Sequence, residues 1–226
     1  DVYKRQVLIL GQVIKKKEQE PSMFRLISYS AFVNIGLILV GMSIGGLNSS
    51  NNTETLFAVQ NVIGYSFIHM LNFIAAIFLC FLASEKMTQW REQSDNLFHL
   101  QGIAKELPIT TFTLVIGLLS LAGGLPLLGG VTLYMILYFL VVAGYWLFAV
   151  LLGGIILIVL GSYFWVLKLV LWAKPFHQRI DKGGLSSDAS LPTISGVILA
   201  LLLIIFGLIP TPITTGIING LVSLIP

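Results

Sequence analysis

The sequence contains few charged residues. Asp, Glu, Lys and Arg make up 10% of its 226 residues, whereas hydrophobic residues make up 56%. Soluble domains carry roughly 25% charged residues. Together with a mean hydropathy of +0.93, this composition excludes the soluble classes and predicts an integral membrane protein. The formal net charge of +3 does not indicate nucleic-acid binding, because the placement of the cations follows membrane topology.

Cysteine is almost absent as well. The single cysteine, Cys80, lies inside an apolar run, which excludes a disulfide framework and a cysteine metal cluster. The sequence shows no metal-ligand spacing and no nucleophile constellation, so neither a metal site nor a catalytic residue is predicted. Gly123 and Gly124 do not form a Walker loop, because no Lys-Ser or Lys-Thr pair follows them. We therefore expect no redox or hydrolytic chemistry in this chain.

The first residues do not look like a natural start. The chain begins with Asp1 and not with Met, and the hydrophobic run over 7–14 is too short to cross a bilayer. We therefore expect a truncated N-terminal helix, and a chain that is the C-terminal fragment of a longer protein.

Five complete hydrophobic segments follow, separated by polar loops. A helix of about 20 apolar residues crosses the ~30 Å hydrocarbon core of a bilayer. The pattern predicts an all-α polytopic membrane protein that forms a single transmembrane domain over 1–226. The predicted spans are 26–47, 62–84, 108–144, 145–173 and 191–209.

The third of these spans is predicted to be discontinuous. The stretch over 108–145 contains no charged residue and no histidine, yet as one straight helix it would measure roughly 55 Å. A broken helix is the economical interpretation, and transporters use such breaks to hold ion sites. Two antiparallel helices joined by a tight turn are the alternative. The residues that weaken the helix are Gly123, Gly124, Pro126, Gly129 and Gly130.

The placement of cations favours the broken helix over the hairpin. Lys and Arg occur in the loops over 15–25, 85–107 and 174–190, whereas the intervening connections and the tail contain none. The positive-inside rule predicts this alternation for five complete spans. The cation-bearing loops fall on one side of the membrane only if 108–145 crosses it once.

One histidine lies near the middle of a predicted span. Ionisable residues inside a bilayer are costly and are functional candidates by default. His69 shares one helix face with Tyr65, Ser66 and Asn72, which lie three or four residues away. This face indicates either a hydrated proton relay, since histidine titrates near neutral pH, or a helix–helix contact between polar side chains.

Other polar residues of the spans are weaker candidates for a proton path. Ser30 and Asn34 could support a water chain, although packing is the simpler role because asparagine does not titrate. Lys168 either joins the path or snorkels to the positive side. The threonines at the start of the broken span are expected to bond their own helix; they are Thr110, Thr111 and Thr113. Two charged pairs are expected to be solvated, namely Glu85 with Lys86 and Lys105 with Glu106.

Three stretches resemble a known family. Residues 25–36, RLISYSAFVNIG, are similar to its helix start K-R-x-x-A-Y-S-S-I-A-H-x-G. Residues 102–108, GIAKELP, are similar to G-L-x-K-R-x-P, and residues 119–130, LSLAGGLPLLGG, to L-S-L-A-G-I-P-P-x-A-G-F. Order and spacing agree over essentially the whole chain. The sequence therefore resembles the antiporter-like membrane subunits of respiratory complex I, in particular the subunit N type.

The resemblance implies a proton-translocating subunit of an NADH–quinone oxidoreductase in a bacterial cell membrane. It implies other membrane-arm subunits and the lipid bilayer as partners, and no nucleic acid. NADH, flavin, iron–sulfur clusters and quinone are expected in the partner subunits, and no cofactor in this chain. One alternative is a subunit of a cation/proton antiporter or membrane-bound hydrogenase. The other is a structural subunit that does not transport.

The sequence departs from the family at two proton-relay positions. The family's discontinuous helix carries a lysine shortly after A-G-F, and that position is Leu133 here. The histidine of the helix-start motif falls on Asn34. These replacements count against autonomous pumping and favour the structural subunit, whereas His69 favours transport.

Overall fold

The computed structural model describes residues 21–47, 53–91, 96–174, 188, 190–209, 216 and 220, with 45–47 described by their backbone alone. The described residues form six long helices and no strand, apart from one isolated bridge between Ser22 and Asn96. This confirms the predicted all-α class. The expected helix over 7–14 lies outside the described residues. The helices are α1 (Met23–Leu47), α2 (Thr53–Trp90), α3 (Pro108–Leu121), α4 (Leu128–Val142), α5 (Trp146–Trp172) and α6 (Leu191–Leu208), with a 3-10 turn over Ile103–Lys105.

Four of these helices are long and apolar enough to cross a membrane, namely α1, α2, α5 and α6. The two others, α3 and α4, are apolar but shorter. The chain is an integral membrane protein that crosses the bilayer several times. Helix α5 exposes large apolar side chains that suit contact with lipid, among them Trp146, Val150, Leu151, Leu157, Ile158 and Trp172.

Helix α2 is the central element of the bundle. It has 38 residues and is therefore roughly 57 Å long at ~1.5 Å per residue. It extends beyond the apolar core of the predicted span at both ends, because the flanking residues are good helix formers such as Leu, Glu, Lys, Met and Gln. Helices α1, α3, α4 and α6 all pack against it.

The predicted discontinuity is confirmed, with α3 ending at Leu121 and α4 beginning at Leu128. Gly123 has a φ of 78°, in the left-handed region that glycine enters without strain. The amide of Gly124 donates to the carbonyl of Leu119 at 2.7 Å, and that of Gly123 to Ser120 at 3.4 Å. These two bonds form a Schellman motif, which satisfies carbonyls at the end of α3.

The two half-helices run in the same direction past α2. Their contacts move steadily from the C-terminal part of α2 toward its N-terminal part as the chain advances. The two halves of the broken segment therefore continue in one direction, and the antiparallel hairpin is wrong. The contact pairs, in chain order of the broken segment, are Gly117 with Cys80, Ser120 with Asn72, Thr132 with His69, and Phe139 with Tyr65 and Phe57.

The cation-bearing stretches meet at one end of the bundle. Upstream of α1, the Pro21 carbonyl accepts a hydrogen bond at 2.8 Å from the amide of Leu97, in the loop after α2. The amide of Gly102 donates to a carbonyl of α5, that of Leu169, at 3.0 Å. The Nζ of Lys86 lies 3.4 Å from the hydroxyl of Ser190, which precedes α6. The described parts of all three stretches thus share one side.

One charged pair at this end is buried. Arg91 Nη2 lies 2.8 Å from Glu106 Oε1, and both side chains are 6% exposed. The indole of Trp90 donates to the second oxygen of Glu106 at 2.6 Å. The expectation that Glu106 is solvated is wrong, because Trp90 and Arg91 at the end of α2 cover its carboxylate. Glu85 and Lys105 are exposed.

Candidate functional site

His69 lies at the meeting point of three helices. Its ring is completely buried and bridges α1 and α4 from its place on α2. The Nε2 atom lies 3.1 Å from the side-chain oxygen of Asn34, and Nδ1 lies 2.9 Å from the hydroxyl of Thr132. Both ring nitrogens therefore have polar partners, as a buried imidazole requires.

The amide of Asn34 is oriented by its own helix. Its Nδ2 donates to the carbonyl of Ser30 at 3.0 Å, so the side-chain oxygen faces His69. The hydroxyl of Ser30 in turn donates to the carbonyl of Leu26 at 2.7 Å. Ser30 thus reaches His69 only through Asn34.

Thr132 was not singled out in the sequence. Its hydroxyl oxygen lies 3.0 Å from the carbonyls of Leu128 and Gly129 in the first turn of α4, in addition to its contact with His69. A signal for it does exist. Apart from two tyrosines, Thr132 is the only polar side chain in α4, and it stands next to Leu133, the position of the family's lysine.

Two members of the predicted polar face pack away from His69. Ser66 donates to the carbonyl of its own helix residue Val62 at 2.7 Å. Ser66 packs against Gly41 of α1, where an added Cβ would be 1.9 Å from the Ser66 hydroxyl. Ser66 therefore lies in the close contact between α1 and α2. Tyr65 stacks its ring on Phe139 with the centroids 5.9 Å apart.

Asn72 forms a second polar contact one turn along α2. The hydroxyl of Ser120, near the end of α3, donates to its side-chain oxygen at 2.7 Å. Asn72 is 1% exposed, and its Nδ2 has no hydrogen-bond partner in the described part of the chain. The polar face of α2 therefore meets α4 through His69 and α3 through Asn72, one on each side of the break.

The glycines of the break allow backbones to touch. A Cβ on Gly129 would lie 1.8 Å from the Ser120 carbonyl oxygen and 2.8 Å from Asn72 Nδ2. A Cβ on Gly130 would lie 2.7 Å from the backbone of Gly124. Side chains at these positions would separate α4 from α3.

The position of the family's lysine is filled by apolar packing. Leu133 is 4% exposed and belongs to a buried cluster with Leu37, Val62 and Ile136. Its Cδ1 would be 2.7 Å from a Cβ on Gly123, so it packs against the break itself.

Lys168 lies outside this site. Its side chain is exposed on α5, in the part of that helix that leads to the cation-bearing end, where snorkelling is possible. The structure thus brings together His69, Asn34 and Thr132, with Asn72 one turn away, and does not bring Lys168 to them.

A buried carboxylate caps the start of α3. Asp188 is completely buried and accepts hydrogen bonds from the amide of Ile109 at 2.7 Å and from the hydroxyl of Thr110. The expectation that Thr110 bonds its own helix is wrong, because its hydroxyl donates to the Asp188 carboxylate instead. Thr113 does bond its own helix, at the carbonyl of Thr110, 2.8 Å away.

The described residues contain no group of three or more His, Cys, Asp or Glu side chains that could hold a metal ion. The chemistry available at His69 is proton exchange and hydrogen bonding, since its two contacts are an amide and a hydroxyl.

Comparisons with known proteins identify a family and several relatives. A family model described as NADH:quinone oxidoreductase/Mrp antiporter, TM, matches residues 18–161. A similar protein is the NADH-quinone oxidoreductase subunit N of Acidithiobacillus ferrooxidans, 25% identical over 91% of this chain and 39% of the relative. The subunit N of Bdellovibrio bacteriovorus is 27% identical over 85% of this chain and 37% of the relative.

Two further similarities complete the comparison. Formate hydrogenlyase subunit 3 of Escherichia coli is 29% identical over 49% of this chain and 18% of that protein. A chain in respiratory complex I from Thermus thermophilus with bound aureothin has a TM-score of 0.45 and 19% identity, over 84% of this chain and 44% of that chain.

The chain spans about two fifths of the length of the first two relatives. The family model nevertheless covers well over half of the chain itself and includes α1 to α4 and the break. The chain therefore belongs to the transmembrane family of NADH:quinone oxidoreductase and Mrp antiporter subunits.

Proposed function

We propose that this chain is a proton-translocating membrane subunit of an NADH–quinone oxidoreductase-like complex, and that His69 is its relay residue. The observation that carries the proposal is the position of the His69 ring, completely buried between Asn34 and Thr132 beside a broken helix. A polar ring in the middle of a span costs free energy. A proton-carrying role accounts for this cost.

The location of His69 relative to the family pattern supports the proposal. The family's histidine falls on Asn34, which bonds directly to the His69 ring. The family's lysine falls on Leu133, next to Thr132 on the other side of the ring. His69 therefore contacts one of the two positions that have lost their titrating groups and the sequence neighbour of the other, and it supplies a titrating group on α2.

The expected partners follow from the relatives. Several relatives are named as subunits of NADH-quinone oxidoreductase, so other membrane-arm subunits are the partners proposed for this chain. NADH, flavin, iron–sulfur clusters and quinone bind in those partners under this proposal. Electron transfer there would drive proton movement here.

The test replaces His69 in the assembled complex. In inverted membrane vesicles, His69→Gln should reduce the rate of NADH-driven proton uptake by about a hundredfold or more, since a positioned acid–base group contributes at least about that factor to a rate. Glutamine retains hydrogen bonding but cannot titrate. His99→Gln, in the loop after α2, is the matched control and should leave uptake unchanged. Full transport by an assembled His69→Gln complex would refute the relay.

A structural subunit is the second candidate, and Leu133 favours it. The family's lysine position is occupied by an apolar side chain within a packed cluster. In that case His69→Gln would leave proton uptake intact, whereas deletion of the chain would disrupt assembly of the membrane arm.

The similarity to formate hydrogenlyase subunit 3 supports a hydrogenase complex as the host. Proton uptake driven by formate and not by NADH would identify that host.

A further inference from the structure

The two sides of the His69 ring differ in what they can do with a proton. On the Nε2 side, the Asn34 amide is held by its bond from Nδ2 to the Ser30 carbonyl. Rotation of the amide would place its oxygen against that carbonyl, two acceptors face to face. The atom facing Nε2 is therefore an oxygen, which only accepts. Nε2 consequently carries a hydrogen in the neutral ring and in the charged ring alike.

On the Nδ1 side, the Thr132 hydroxyl can act in either direction. It has one hydrogen and three acceptors within reach, namely Nδ1 at 2.9 Å and the carbonyls of Leu128 and Gly129 at 3.0 Å. When the ring is neutral, the hydroxyl donates to the bare Nδ1. When the ring is charged, Nδ1–H donates to the hydroxyl oxygen, and the hydroxyl hydrogen turns to a carbonyl of α4.

We infer that Thr132 is the positioning residue of the relay and that His69 gains and loses its proton through Nδ1 alone. The ring binds one proton from the aqueous phase at Nδ1 and later returns it from the same nitrogen, while the Nε2–H bond to Asn34 persists. The neutral and the charged ring differ in the direction in which the Thr132 hydroxyl hydrogen points. The relay role in this inference rests on the proposed function. The assignment of hydrogen to Nε2 and not to Nδ1 in the neutral ring is independent of it.

The surroundings offer no competing charge. Residues 55–84 of α2, 26–47 of α1 and the whole of α4 contain no Asp, Glu, Lys or Arg. The titratable side chains on these stretches, besides His69, are Tyr29, Tyr65, Cys80, Tyr134 and Tyr138. None of these is a hydrogen-bond partner of the His69 ring, whose partners are Asn34 and Thr132.

The first experiment is nitrogen NMR on the full chain in membranes with 15N-labelled histidine, with His69→Gln used to assign the signal. The neutral ring should show hydrogen on Nε2 and a bare Nδ1. In Asn34→Leu the tautomer should invert, because Nδ1–H can then donate to Thr132 while Nε2 is left bare among apolar groups. A wild-type ring with hydrogen on Nδ1 would overturn the inference, whatever the transport assay shows.

The second experiment measures NADH-driven proton uptake in the assembled complex. Thr132→Val removes the hydroxyl with little change in shape and should lower uptake about tenfold, as loss of one hydrogen bond to a charged group implies. Thr132→Ser should restore it. Thr113→Val, on α3 and bonded only to its own helix, is the control. If proton uptake falls in His69→Gln but not in Thr132→Val, the role of Thr132 is refuted and the proposed function still stands.

Discussion

Gly129 lies against the backbone carbonyl of Ser120, so closely that a Cβ at position 129 would be 1.8 Å from the carbonyl oxygen. The two half-helices therefore meet through main-chain atoms, and the break is a packed joint between α3 and α4. Ser120 also donates its hydroxyl to Asn72, which ties the same joint to α2.

Gly129→Ala should destabilise the protein. The added methyl meets backbone that cannot move aside cheaply, so we expect a loss of about 3 kcal/mol, at the upper end of the range for overpacking. Gly154→Ala is the control, because nothing lies within 4 Å of a Cβ at that position of α5, and it should be neutral or stabilising. Thermal unfolding in detergent measures both, and equal midpoints for the two variants would contradict the packed joint.

Glu106→Gln should weaken the cation-bearing end of the bundle. The substitution leaves Arg91 buried without its anionic partner, and breaking such a pair costs about 3 kcal/mol. The exposed Glu85 accepts a hydrogen bond from Gln89 on the helix surface, so Glu85→Gln should change stability by less than about 0.5 kcal/mol. Chemical denaturation measures the free energy of unfolding of both variants. A small loss in Glu106→Gln would show that the pair of Arg91 and Glu106 is solvated.

Asp188→Ala should loosen the start of α3. It removes the acceptor for the amide of Ile109 and the hydroxyl of Thr110. The loss of a helix cap costs about 0.5–2 kcal/mol. The control is Ser195→Ala, whose exposed hydroxyl bonds only to its own helix at Pro192. Hydrogen exchange at Ile109 and Thr110 should rise in Asp188→Ala alone; unchanged exchange there would refute the cap.

Positions 50 and 187 should face opposite sides of the membrane. The cation count predicts it, and the meeting of the described parts of the cation-bearing stretches at one end of the bundle supports it. Single cysteines placed by Ser50→Cys and Ser187→Cys can be labelled with a membrane-impermeant maleimide, while the native Cys80 is completely buried and should stay unreactive. Labelling of both positions from the same side would contradict the topology.

The broken span could be predicted because its causes are local. The Gly and Pro residues, the absence of charge and the excess length all lie within 108–145. The common direction of the two half-helices could be predicted from the cations of the flanking loops. Helix ends could not be placed as well, since α2 continues past both ends of its apolar core on ordinary helix-forming residues.

The site was predicted only in part, because its contacts join distant segments. Helical spacing identified the face of α2 that carries His69 and Asn72. The same spacing also included Tyr65 and Ser66, which have packing roles instead. Tyr65 stacks on the ring of Phe139, and Ser66 packs against α1. The partners of His69 lie 35 and 63 residues away, and only the packing of α1 and α4 on α2 brings them together.

The cap on α3 also orders events during synthesis. Asp188 leaves the ribosome 79 residues after Ile109, whose amide it receives. While α3, α4 and α5 enter the membrane, the first turn of α3 must rely on water or lipid headgroups for its acceptors. The first turn of α3 therefore gains its carboxylate cap only after residue 188, just before α6, has been synthesised. Nascent chains that stop short of residue 188 hold α3 without the carboxylate that caps its first turn.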